Sequence, residues 1–89
     1  MRAVITVIGK DTVGILAKVS AVCAEYSVNI LEVTQSVLQE LFTMIMLVDI
    51  TNSPIPFSEL KDQFMDTGTD MGLHIHVMHE DIFNSMHKI

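Results

Sequence analysis

The apolar residues of this chain alternate between two spacings, and the order of those spacings restricts the fold more than any other feature. Ala3–Ile8 is a β-branched apolar run broken only by Thr6, which reads as a central strand covered on both faces. Ile15, Val19, Val22, Cys23 and Tyr26 then recur at i, i+4, i+7, i+8 and i+11, one stripe of a helix. Asp11 or Thr12 is its expected N-cap, and Ser27-Val28-Asn29 closes it. In a second strand, Asn29–Gln39, Leu31, Val33 and Val37 alternate with Glu32, Thr34 and Ser36, the period of a half-exposed strand.

Gln39-Glu40 leaves room only for a tight turn, so Leu41–Ile50 is predicted to complete a hairpin. After the loop Asn52-Ser53-Pro54-Ile55-Pro56, a second helix opens at Ser58 or near Pro56. It buries Phe57, Leu60, Phe64 and Met65, and Gly68 is expected to end it. Leu73, Ile75 and Val77 form the apolar face of a fourth strand, with His74, His76 and Met78 opposite. Glu80–Lys88 reads as a terminal helix with acids in its first turn and Ile82, Phe83 and Met86 on one side. The order β-α-β-β-α-β predicts an α+β, ferredoxin-like sandwich plus a short C-terminal helix. Residues 1–89 would form one domain, a four-stranded antiparallel sheet with both main helices on one face.

Facing has a consequence. If Ala3, Ile5, Val7, Leu73, Ile75 and Val77 point to the helices, the opposite face carries Val4, Ile8, Ile45 and Leu47 amid Thr6, Thr43, Met78, Glu32, Thr34, Ser36, His74 and His76. That centre is too apolar for a bare solvent face. A second subunit or the terminal helix is expected to cover it, and a homodimer is the leading expectation.

Composition removes several classes. Eleven Asp plus Glu against five Lys plus Arg give a formal charge of -6, the reverse of a phosphate-binding footprint. An RNA-recognition domain shares this element order, yet two aromatic stacking residues on the outer face of strands one and three are absent. The longest apolar stretch, Leu41–Val48, is far short of the ~20 residues that span a bilayer, so neither nucleic acid nor membrane is an expected partner. A single cysteine rules out an internal disulfide framework and fits a reducing cytoplasm. Cys23 lies on the apolar stripe and reads as a core thiol. Most methionines read as packing residues. The acids Glu59, Asp62, Asp66 and Asp70 read as a solvated helix face, and no serine is placed in a nucleophile–base array.

Two segments can carry chemistry. In Gly9-Lys10-Asp11-Thr12-Val13-Gly14 a strand turns into a helix, presenting backbone N–H groups to an anion such as a carboxylate. Asp11 adds an acceptor for an ammonium, and Asn29 offers both donor and acceptor. Together they suit a zwitterionic amino acid, with Asn29 completing a neighbour's pocket in a dimer. The same residues also serve as plain turn glycines, a helix cap and a helix end. The second segment holds His74 and His76 on one strand face, about 6.6–6.8 Å apart, a separation compatible with one metal ion and with Glu32 or Thr6 as neighbours. A third and fourth ligand are not identifiable, and His79 and His87 add none.

Gly9-Lys10-Asp11-Thr12-Val13-Gly14-Ile15 before a helix, then Asn29-Ile30 opening a strand, resembles the signature of the ACT domain family over about residues 2–79. The chain is similar to small stand-alone bacterial members, related to the N-terminal domains of the glycine cleavage system repressor and of formyltetrahydrofolate deformylase. The resemblance implies a regulatory module without catalytic activity or cofactor, pairing with a second copy and binding an amino acid or other small effector at the interface. Carried over by position, Gly9, Asp11, Gly14 and Ile15 are the loop contacts, with Asn29 and Ile30 facing them. Two alternatives stand beside this reading. One is a ligand-free docking module that recruits a larger enzyme or regulator; the other is a small metal-binding protein using His74 and His76.

Overall fold

A computed structural model of the chain describes residues 1–86. His87, expected at the surface, lies outside the described residues, as does Lys88 at the expected end of the terminal helix. The elements are β1 (Arg2–Lys10), α1 (Ile15–Glu25), β2 (Asn29–Leu38), β3 (Leu41–Asp49), α2 (Phe57–Met71), β4 (Leu73–His79) and α3 (Glu80–Met86). The sheet order is β2-β3-β1-β4 with every pairing antiparallel. This is the expected ferredoxin-like arrangement. Ala3, Ile5 and Val7 of β1, Phe42, Met44, Met46 and Val48 of β3, and Leu73, Ile75 and Val77 of β4 are all buried. They form one cluster with Ile15, Val19 and Cys23 of α1 and Leu60 and Phe64 of α2. Apolar burial of this kind supplies most of the favourable folding free energy of a small domain.

The glycines hold roles different from those the spacing suggests. Gly9 does not begin the loop: it lies inside β1, in register with Phe42 and Leu73. A Cβ there would sit 2.5 Å from Leu73 Cδ2 and 3.3 Å from Leu73 Cα, so this glycine marks a close approach of β4, which a side chain would have to push back, and not a turn. Gly68 does not end α2 but is buried within it, where a Cβ would meet Leu73 O and Ile75 Cγ1 at 2.9 Å each. That absence of a side chain lets α2 rest on β4. The helix runs one turn further and stops at Gly72, whose φ of 71° is left-handed, the usual glycine terminator.

Caps also differ. Neither Asp11 nor Thr12 caps α1; the N-cap is Gly14 at φ 87°, with no side-chain hydrogen bond. Helix α2 opens after Pro56, in extended conformation, and Ser58 falls within its first turn. Met65, expected to be buried, is exposed.

The second strand departs most. Leu31 is an extra residue between the pairs Ile30↔Val48 and Glu32↔Leu47, a β-bulge. Beyond it the strand is exposed on both faces, not on one. Val33 and Val37 share the helix-side face with Met46 and Phe42, yet they are 39% and 52% exposed. The physical reason is position: β2 is an edge, and only Ile30 near its start packs against the core. Gln39 (φ 56°) and Glu40 make the tight turn to β3 as expected.

On the outer face, α3 covers part of the apolar centre. Val4 is buried and Leu47 half-buried, whereas Ile8 and Ile45 remain exposed. Strand β1 is therefore central but not covered along its whole outer face. Within α3, Phe83 is half-buried while Ile82 and Met86 point to solvent, so the three do not share one packed side.

Candidate functional site

Where β1 ends, Asp11, Thr12, Val13 and Gly14 are all exposed. The Asp11 N–H donates to Glu40 O at 2.8 Å, tying the loop to the turn of the β2–β3 hairpin. Further on, no side chain caps α1, and its first turn contains no acidic residue. The first N–H groups of a helix have no intrahelical acceptor and carry a partial positive charge. The same segment carries the Asp11 carboxylate and the exposed apolar side chains of Val13 and Leu16. The chemistry on offer is an anion acceptor and a cation acceptor within one exposed loop.

Asn29 and Ile30 lie at the other end of the sheet. Asn29 is in register with Asp49, and Asp49 with Arg2; the loop follows Lys10, which is paired with Leu41. At ~3.3 Å per residue these ends are roughly 26 Å apart. One copy of the chain therefore does not bring the loop residues and Asn29 together. Asn29 itself is exposed, and Ile30 is half-buried against the core. Sequence reasoning missed the carboxylate beside Asn29. Asp49 accepts the Thr51 N–H at 2.9 Å and faces the Met1 amino group at 3.7 Å. The Thr51 hydroxyl, then the Thr51 N–H, hold its carboxyl below the usual aspartate range. The spacing Asp49-Ile50-Thr51 is the available signal, because aspartate commonly accepts the backbone N–H two residues on.

The outer face is built as its alternation implies. Val4, Thr6 and Ile8 stand across from Leu47, Ile45 and Thr43 on one side and from Met78, His76 and His74 on the other. His74 and His76 are exposed. Glu32 cannot join them, because β2 and β4 are opposite edges, about 14 Å apart at ~4.8 Å per strand. Among the described residues no group of three or more His, Cys, Asp or Glu is arranged to hold a metal ion. His79 is engaged locally, its Nδ1 accepting the Asp81 N–H at 3.3 Å. Under α3 the same face forms a cavity of about 190 Å3, lined by Val4, Ile45, Leu47, Phe83 and the polar residues Glu32, Thr34, Glu80 and Asn84. Nothing in the spacing of residues announced it. Cys23 is buried, and desolvation pushes its thiol up to about 11, which keeps it protonated and unreactive at neutral pH.

Comparison with known proteins adds an independent line. A family model described as the ACT domain matches residues 2–78. The chain is 53% identical over 89 residues to a UPF0237 protein of Clostridium perfringens (strain 13 / Type A), with all of both chains covered. An ACT domain protein from Streptococcus pneumoniae superposes with a TM-score of 0.82 at 38% identity, over 93% of each chain. A structure of a glycine cleavage system transcriptional repressor superposes with a TM-score of 0.72 over 85% of this chain and 43% of its own. At 23% identity that last likeness is one of fold.

Proposed function

Because the chain belongs to the ACT domain family of regulatory small-molecule-binding modules, we propose that it is a non-catalytic, cytoplasmic homodimer that binds an amino acid between its two copies. The observation that carries this reading is the separation of the two half-sites. Gly9, Asp11, Gly14 and Ile15 stand at one end of the sheet, and Asn29 and Ile30 stand at the other. Strand β2 runs between these ends, exposed at its edge. Pairing two such edges antiparallel about their midpoints carries Asn29 and Ile30 of one copy toward the hairpin end of the other. That end holds the loop through the bond from Asp11 to Glu40. Edge strands with unpaired backbone groups are templates for this kind of addition, and the exposed Val33, Val37 and Leu38 add apolar surface. In such a crevice the first N–H groups of α1 receive a carboxylate, and Asp11 receives an ammonium.

Titration calorimetry against the common amino acids tests the reading. For the amino acid that binds, Asp11→Ala and Asn29→Ala are each expected to weaken affinity by about 1.5–3 kcal/mol, the worth of a hydrogen bond to a charged group. An equimolar mixture of the two variants then regains full-strength sites in the mixed dimers, where one site carries both changes and the other carries neither. Unchanged affinity in both variants overturns the site. The exposed β2 edge also supports a ligand-free docking module for a larger enzyme or regulator. Absence of heat with every amino acid, together with a monomer in sedimentation, favours that second reading.

A further inference from the structure

We propose that the cavity beneath α3 is a separate ligand site for a small organic cation, an ammonium group on a compact apolar body. It opens on the face of the sheet away from α1 and α2 and shares no residue with the loop that begins α1; it takes Glu32 and Thr34 from β2, the strand whose outer edge is assigned above to pairing. Val4, Ile45 and Leu47 make an apolar floor and the Phe83 ring a wall. Its volume of about 190 Å3 exceeds the roughly 150 Å3 that accommodates benzene. A single six-membered ring with one short substituent therefore fits within it.

Charge selects the head group. Two carboxylates line the cavity, Glu32 from β2 and Glu80 from α3. Glu80 is paired with Arg2. Among the described residues Glu32 has no ion-pair partner. Among the described residues the lining with its paired arginine thus carries one uncompensated negative charge, beside an apolar hollow. The Thr34 hydroxyl and the Asn84 carboxamide line the same cavity and offer acceptors to further N–H groups. An ammonium there exchanges water for a carboxylate and neutral oxygens while its apolar body leaves water, the combination that small-molecule sites use. An anionic ligand meets like charge and is excluded.

Amide chemical-shift titrations of the full chain with benzylammonium, benzyl alcohol and benzoate test the proposal. Benzylammonium is expected to shift Val4, Glu32, Ile45, Leu47, Phe83 and Asn84, with benzyl alcohol needing five- to tenfold higher concentration and benzoate giving no saturable shift. Glu32→Gln, an exposed change that leaves the remaining spectrum in place, is expected to remove most of the preference for the cation. Equal binding of the alcohol, shifts confined to other regions, or an undiminished preference in Glu32→Gln would each overturn it.

Discussion

The two edges of the sheet are built in opposite ways. At β4, Leu73, Ile75 and Val77 are buried in the core, while His74 and His76 give the other face to water. Gly68 lets α2 settle onto this strand, and α3 follows directly from its end. At β2 every residue from 31 to 38 is exposed, apolar ones included. One edge strand thus has its inner face covered by its own chain, and the other is left with its valines open. An open edge with apolar side chains is a site of association unless something blunts it. Within β2 a single acid, Glu32, and the bulge at Leu31 are the features that resist indiscriminate pairing. Stability in this fold rests on the covered side of the sheet, and the open strand is the surface available to a partner.

Substitutions on the covered and the open side separate these two roles. The largest expected effect is at Phe64, fully buried among the residues that link α2 to the sheet. Phe64→Ala should lower the free energy of urea unfolding by about 3–5 kcal/mol, whereas Val33→Ala on the open edge should change it by less than ~0.5 kcal/mol in the monomer. Equal losses at the two positions would dissolve the distinction. Next is Gly68→Ala. Alanine favours a helix by about 1 kcal/mol, yet its Cβ would press on the Leu73 carbonyl and Ile75 at 2.9 Å. A net loss of about 1–2 kcal/mol is expected from overpacking, read as a fall in the thermal midpoint. A midpoint that rises would show that α2 and β4 can separate without cost. The smallest effect on monomer stability, within ~0.5 kcal/mol, is expected for Val37→Lys. Its signature lies elsewhere, in sedimentation equilibrium, where the charged edge should shift the protein toward monomer. A self-association constant unchanged by Val37→Lys would remove β2 as the dimer contact.

Much of this molecule is legible from residue spacing because each strand and helix repeats its pattern several times. Ile15, Val19 and Cys23 on α1, or Leu73, Ile75 and Val77 on β4, announce period and buried face together. The turn at Gln39-Glu40 follows from the lack of any other room. What spacing does not reveal depends on a second element. Gly9 and Gly68 look like punctuation, but each lies where Leu73 or Ile75 passes close to its backbone. Strand β2 alternates as a half-buried strand should, but neighbours in space, not its own residues, decide whether a face is covered. The candidate site shows the same limit. Its loop and Asn29 can be picked out one at a time, while the distance between them follows from strand register. The cavity under α3 joins residues of β1, β2, β3 and α3, and no local pattern contains it.

The bulge at Leu31 settles a question of parity. Ile30 and Val33 stand three apart in the chain, yet both share the helix-side face, opposite Val48 and Met46. In an uninterrupted strand an odd offset would put them on opposite sides. Leu31 acts as a spacer that rephases the strand, dividing β2 into two segments that each stay in step with β3. Position 31 is accordingly where the reading frame of the two faces is set. Shortening the strand there by one residue would join the segments without inverting either of them, whereas the same cut anywhere from 33 to 37 would turn one portion of the edge inside out.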